Sequence, residues 1–339
     1  MVSLPRIRVD LDASFDLIGT VLVYLAVPLV FPLAVAVYYG DPLGPFVTAI
    51  AATLLLGGGM DLLGNPEADL GPREAFLSVA LIWFLVAGIG AIPFIVAGNG
   101  TIASPINAVF ESMSGLTTTG GTVFRDFSVH SRSILMWRQL IQWLGGLGIL
   151  ILATAVLSSL GVGGAQLMET ETQTQNVDKL TPKISETARL IWSLYVGITG
   201  LAIAVYFALG LTGLAPNMDL YNAVAHAFTS VATSGFSPEP DSAAAFAPAA
   251  QWAMIPFMLL GSTNFVLLYL FINGQPMRLL RNEEFHFYLG TVAVFTAIVA
   301  GALVVDPTIG FGAEATVRHA LFNIVSIITT TGYASTDYT

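Results

Sequence analysis

Residues 107–120 read NAVFESMSGLTTTG, residues 222–235 read NAVAHAFTSVATSG and residues 319–332 read HALFNIVSIITTTG. The three stretches superimpose without a gap. Asn107, Asn222 and His319 open the register, and Ala108, Ala223 and Ala320 follow. Ser114, Thr229 and Ser326 share a later position, and Gly120, Gly235 and Gly332 close it after Thr-Thr, Thr-Ser and Thr-Thr. One Thr-Gly string is noise; three in register mark an internal duplication.

Each stretch continues a semi-apolar run, at 105–116, 219–231 and 315–328. These runs are shorter than the roughly 20 residues needed to cross a bilayer. A short helix that ends in a polar Gly turn between two longer apolar segments is how a chain enters a membrane partway and returns. Backbone of that kind survives at membrane depth only where protein buries it or where it lines a water-filled cavity.

The rest of the chain identifies the solvent. Of its 339 residues 55% are hydrophobic and 10% charged, with mean hydropathy +0.77; a soluble domain is nearer one quarter charged. Seven charge-poor stretches are long enough to span, at 17–39, 43–60, 75–97, 139–160, 190–214, 247–272 and 285–305. The alternating short strands of a membrane β-barrel are not visible, so the expected fold is all-α. Each short run follows the third, fifth or seventh of these spans. The N-terminal segment lacks the pattern of a removable signal peptide and reads as an arm leading into a retained first helix. Placing it in the cytoplasm puts Arg6, Arg8, Arg73, Lys179, Lys183, Arg189, Arg278 and Arg281 inside, leaving Arg125, Arg132, Arg138 and Arg318 outside, as the positive-inside rule expects.

Several chemistries are excluded or disfavoured. Without cysteine there is no disulfide, thiolate metal site or Cys nucleophile. A net charge of −10 opposes nucleic-acid binding. No GxxxxGK[ST] string is present, and His130, His226, His286 and His319 lack metal-ligand spacing. Ser114-Gly115 and Ser234-Gly235 could suggest an intramembrane serine hydrolase, but no histidine-bearing span supplies an evident base and a nucleophile does not need three copies.

The repeated residue types suit a dehydrated monovalent cation. Backbone carbonyls supply oxygen ligands without a fixed countercharge that would trap the ion. Glycine permits the positive φ that turns successive carbonyls inward, and a helix C-terminus aimed at the axis adds negative potential.

These motifs, together with WRQLIQWLGGLGILILA at 137–153, LGVGGAQLMETET at 160–172, DKLTPKISETARLIW at 178–192 and GSTNFVLLY at 261–269, resemble the TrkH/KtrB superfamily of potassium uptake proteins. The resemblance runs from about Ala75 onward, and the two preceding helices match the extra N-terminal pair of the TrkH branch. It implies helix–pore loop–helix units around one pseudo-symmetric pore. The expected division is 1–72 for the arm and two extra helices, 73–165 for repeat one, 166–280 for repeat two and 281–339 for part of repeat three. The selectivity filter would comprise Thr117, Thr118, Thr119, Gly120 and Gly121; Ala232, Thr233, Ser234, Gly235 and Phe236; and Thr329, Thr330, Thr331, Gly332 and Tyr333. Some plant relatives with Ser at the first filter glycine favour sodium, so Gly120 fits potassium.

The family has four repeats, and this sequence stops at Thr339, just past the third filter. The resemblance further implies a multi-pass protein of the cell membrane, a homodimer and a cytosolic nucleotide-binding regulatory subunit of the TrkA/KtrA type. The transported potassium is substrate, and no cofactor is expected.

Other residues admit two readings each. Gly145, Gly146 and Gly148 read first as close helix packing. Pro93 and Pro256 read as kinks or helix ends. Asn264, polar within an apolar span, should be hydrogen-bonded internally or line the pore. Arg138 is either a snorkelling anchor or a partner for Glu111 that braces the filter. The alternative functions are an ion-coupled secondary transporter with broken helices, which would want an intramembrane carboxylate, and an inactive truncated remnant.

Overall fold

The computed structural model describes residues 11–65, 71–160, 184–306 and 310–336. Twelve α-helices lie among them and no strand does. In chain order they are α1 (Leu11–Tyr39), α2 (Gly44–Leu63), α3 (Pro72–Ala97), α4 (Pro105–Leu116), α5 (Arg132–Leu160), α6 (Ile184–Leu211), α7 (Leu220–Val231), α8 (Pro248–Gly261), α9 (Phe265–Ile272), α10 (Pro276–Leu280), α11 (Glu283–Val305) and α12 (Ala313–Ile328).

Long apolar helices have only partly buried surfaces. Among the described residues five are long and apolar enough to cross a membrane, and the α8–α9 pair brings the number to six if it counts as one span. Along α11 only Val292 is buried, and Phe287, Val304 and Val305 are all more than 70% exposed. So large an apolar surface is stable only against an apolar medium, which a bilayer supplies.

The three short runs form α4, α7 and α12. Pro105 starts α4 at a position where its missing N–H costs nothing. The Asp219 carboxylate caps α7 by accepting from the Asn222 N–H at 2.8 Å. Each short helix packs against the long helix before it, pairing α3 with α4, α6 with α7 and α11 with α12. The helix that follows one short helix also packs on the next: α5 touches α4 and α7, and α8 touches α7 and α12. The three units are thus interleaved.

One expected span is corrected. Residues 247–272 do not form one continuous helix; α8 and α9 meet at 104°. The sequence Ser262-Thr263-Asn264 causes the break. The Ser262 and Thr263 hydroxyls turn back to donate to the Leu259 carbonyl, at 3.1 and 2.7 Å. Asn264 then caps α9, its Oδ1 accepting from the N–H groups of Val266 and Leu267 at 2.9 and 3.4 Å. Asn264 is therefore bonded internally. Pro93 lies near the end of α3 and Pro256 inside α8. The span expected at 139–160 lies within α5, which begins at Arg132.

Of the WLGGLG glycines, Gly145 has a steric duty. A Cβ there would overlap the carbonyl of Leu116, at the end of α4. Gly261 stands in the same relation to the Val231 carbonyl at the end of α7. At Gly148 the nearest side chain is a comfortable 3.8 Å away. Gly145→Ala should therefore destabilise the protein by about 1–3 kcal/mol through overpacking, read as a lower thermal midpoint in detergent, whereas Gly148→Ala should leave the midpoint unchanged or higher.

Candidate functional site: three interlocked turns

Each short helix ends in the same turn. In the first, the Thr119 N–H donates to the Ser114 carbonyl at 2.9 Å and the Thr118 N–H to the Gly115 carbonyl at 3.0 Å. Ser234 to Thr229 with Thr233 to Ser230, and Thr331 to Ser326 with Thr330 to Ile327, repeat the pair. This six-to-one, five-to-two pattern is a Schellman cap, whose pivotal residue sits in the left-handed region and is usually glycine. Here it is threonine each time, with φ 55° at Thr118, 49° at Thr233 and 59° at Thr330.

A β-branched residue held there costs roughly 1–3 kcal/mol and persists only where its surroundings over-determine it. Two residues on, Gly120, Gly235 and Gly332 return to positive φ, at 77°, 73° and 85°. The intervening Thr119, Ser234 and Thr331 keep negative φ. Positive and negative φ thus alternate along each of the three turns.

The first turn touches the second and the second touches the third. A Cβ on Gly120 would stand 2.5 Å from the Ser234 carbonyl oxygen, and one on Gly235 would overlap that of Thr331. The next residue also reaches across. The Phe236 ring lies against Gly115 of α4 and beneath Arg138, whose guanidinium carbon is 3.7 Å from the ring centroid. The Tyr333 hydroxyl meets the Thr229 hydroxyl on α7 and donates to the His226 carbonyl at 3.3 Å.

A further shared position ties each short helix to the strand leaving its turn. Glu111, His226 and Asn323 occupy it, in register with Asn107, Asn222 and His319. Glu111 accepts from the Thr122 hydroxyl and the Val123 N–H, both at 2.9 Å. His226 Nε2 pairs with the Ser237 hydroxyl at 3.1 Å. Asn323 Oδ1 accepts from the Ser335 N–H at 3.2 Å. Three different side chains perform one mechanical task.

Arg138 joins the first two turns. Its Nε donates to Glu111 at 2.5 Å and its Nη1 to the Ser237 carbonyl at 2.9 Å, and both members of the ion pair are buried. In the third unit Arg318 donates to Glu314 at 2.9 Å and to the side-chain Oε1 of Gln251, while Gln251 Nε2 donates to the Ser335 carbonyl at 3.4 Å. Among the described residues no cluster of three or more His, Asp or Glu side chains could hold a metal ion.

His130, in the loop leading into α5, stacks on Phe124 with centroids 4.3 Å apart. Both of its ring nitrogens are buried without a partner. Burial holds its pKa below the ordinary imidazole value, and the charge of Arg138 adds to the depression while Asp126 and Glu111 oppose it.

Sequence reasoning missed Gln142, Ser237, Gln251 and the shared role of Glu111, His226 and Asn323. The last was present in the alignment as a common offset, hidden because the residue types differ.

Arg138→Ala leaves Glu111 as an unpaired buried charge and should cost about 3–5 kcal/mol in thermal stability. Exchanging the two residues should not restore it, because Val123 N–H and the Ser237 carbonyl each demand the present sign. A group with a depressed folded pKa contributes stability above its unfolded value that is lost as pH falls. As pH falls below about 6.5, His130 should therefore destabilise the protein progressively, and His130→Phe should flatten this fall in the thermal midpoint.

The chain is similar to known membrane proteins. A family model described as TrkH, cation transport protein, matches residues 44–339. The Trk system potassium uptake protein TrkH of Halomonas elongata is 33% identical over 332 residues, covering 95% of this chain and 66% of that protein. The protein of the same name from Escherichia coli is 33% identical over 326 residues, covering 94% and 65%. The crystal structure of the potassium transporter TrkH from Vibrio parahaemolyticus matches with a TM-score of 0.80 and 29% identity, covering 97% of this chain and 66% of that one. The chain spans about two thirds of the length of these relatives. By its match over most of its length and by its fold, this chain belongs to the TrkH family of cation transport proteins.

Proposed function

We propose that the three turns form the selectivity filter of a potassium uptake pathway across the cell membrane, with Thr117–Gly121, Ala232–Phe236 and Thr329–Tyr333 as its three strands. The observation that carries the reading is the recurrence of paired positive φ values at Thr118 and Gly120, Thr233 and Gly235, and Thr330 and Gly332. A packing motif needs small residues but not the same strained backbone three times. Negative ends of three short helices add favourable potential for a cation. The names of the relatives support potassium as the ion.

Transport on this reading is movement of the ion down its electrochemical gradient, with no covalent step. Arg138 and Glu111 act as a brace between the first two filter strands rather than as ion ligands. The coupled-transporter alternative wants a free intramembrane carboxylate, and Glu111 is already neutralised by Arg138. The same proposal places the N-terminus in the cytoplasm, assembles the protein as a homodimer and assigns it a nucleotide-binding cytosolic regulator of the TrkA/KtrA type. Charge asymmetry supports the orientation, and likeness to the Trk proteins supports the assembly.

The test is potassium-limited growth and rubidium uptake in cells lacking their own potassium uptake systems. Expression of the protein should restore both. Gly235→Ser, which drives a side chain into the Thr331 carbonyl, should lower potassium preference over sodium by about tenfold or more. If the protein supports uptake and Gly235→Ser changes neither rate nor preference, the filter assignment is wrong.

A further inference from the structure

Gln142 lies on α5, outside the second filter strand, and is fully buried. Its Nε2 donates to the Ser234 carbonyl at 2.8 Å, and its Oε1 accepts from the Phe236 N–H at 3.0 Å. Only one orientation of the amide satisfies both partners. The two bonds fall on the two peptide groups that meet at Gly235. Rotation of the first is the φ of Gly235 and rotation of the second is its ψ. One side chain from a neighbouring helix therefore locks both soft angles of the most permissive residue in the strand.

The other two strands are held differently. Ser114 and Ser326 donate to the carbonyls of Gly121 and Tyr333, at 2.6 and 2.7 Å, so each short helix clamps its own strand. In the second unit the corresponding Thr229 spends its hydroxyl on the Ala225 carbonyl, at 3.1 Å, and on the Tyr333 hydroxyl. Gln142 provides a restraint from α5 instead. The oxygen it holds is the one that faces Gly120, and a Cβ on Gly120 would lie 3.9 Å from Nε2 itself.

We propose that Gln142 is a specificity-determining positioning residue, which sets the ion preference of the pathway by stiffening the second filter strand at Gly235. The inference rests on the filter reading above. A smaller cation is accepted when carbonyls can draw inward around it, so preference depends on ligand number and on the freedom of the strand that carries them. Without the amide, Ser234 and Phe236 turn freely about Gly235 and the site contracts around sodium.

The experiment compares potassium and sodium binding to the purified protein by isothermal titration, with thermal unfolding in choline buffer as the check on folding. Gln142→Met keeps shape and removes both bonds; Gln142→Glu keeps the acceptor for Phe236 and sets a negative charge beside the Ser234 carbonyl. Both should lower the potassium-to-sodium affinity ratio about tenfold, the equivalent of 1.4 kcal/mol, mainly by tightening sodium binding. An unchanged ratio in both variants overturns the proposal, including the case where both ions weaken together, which is the mark of a purely structural role. Failure of both variants to fold overturns it as well. Gly235→Ala, measured alongside, separates the two claims. If Gly235→Ala leaves the ratio unchanged, the filter reading itself fails. If Gly235→Ala shifts the ratio and the Gln142 variants do not, only the role of Gln142 fails.

Discussion

Gly120 and Gly235 occupy points where one turn meets the carbonyl of the next, and no side chain fits in either place. Both also carry a positive φ, as does Gly332. The rest of the structure is arranged around this contact. Short helices aim their C-termini at it, and long helices pass behind them at Gly145 and Gly261 with no Cβ to spare. Phe236 and Tyr333 reach back from one strand onto the preceding short helix. The alternation of handedness through Thr-Thr-Gly is unfavourable by itself, so each strand is tied on several sides by hydrogen bonds and rings.

Those ties are not copies of one another. Glu111, His226 and Asn323 hold equivalent strands with a carboxylate, an imidazole and an amide. Arg138 brings a full charge to the seam between the first and second strands, while Gln251 and Arg318 serve the third. A duplicated backbone has been fitted with divergent side chains. The unit of constraint is the geometry of the turn, and several chemistries satisfy it.

Much of this was legible in the sequence. The gapless alignment fixed the three short helices to within two residues of their observed starts, as α12 begins at Ala313 rather than Ala315. It also singled out the glycines that the backbone places at positive φ. The Arg138–Glu111 contact was one of the two readings open for that arginine. Gln142 was not legible, since its two partners lie more than ninety residues away and only the interleaving of α5 with the second unit brings them together. The break between α8 and α9 was missed for a local reason. Residues 247–272 are apolar enough to span, and Ser262-Thr263-Asn264 acts through backbone capping that hydropathy does not weigh.

The central claim is that an ion rests where the three strands meet. Crystals grown in rubidium and measured at its absorption edge test it directly. The account predicts anomalous density within about 3 Å of carbonyl oxygens from all three strands, between the levels of the left-handed threonines and the filter glycines, in the manner of carbonyl-lined filters. Density confined to side-chain carboxylates elsewhere, with none bordered by the strands of Gly120, Gly235 and Gly332, would contradict it.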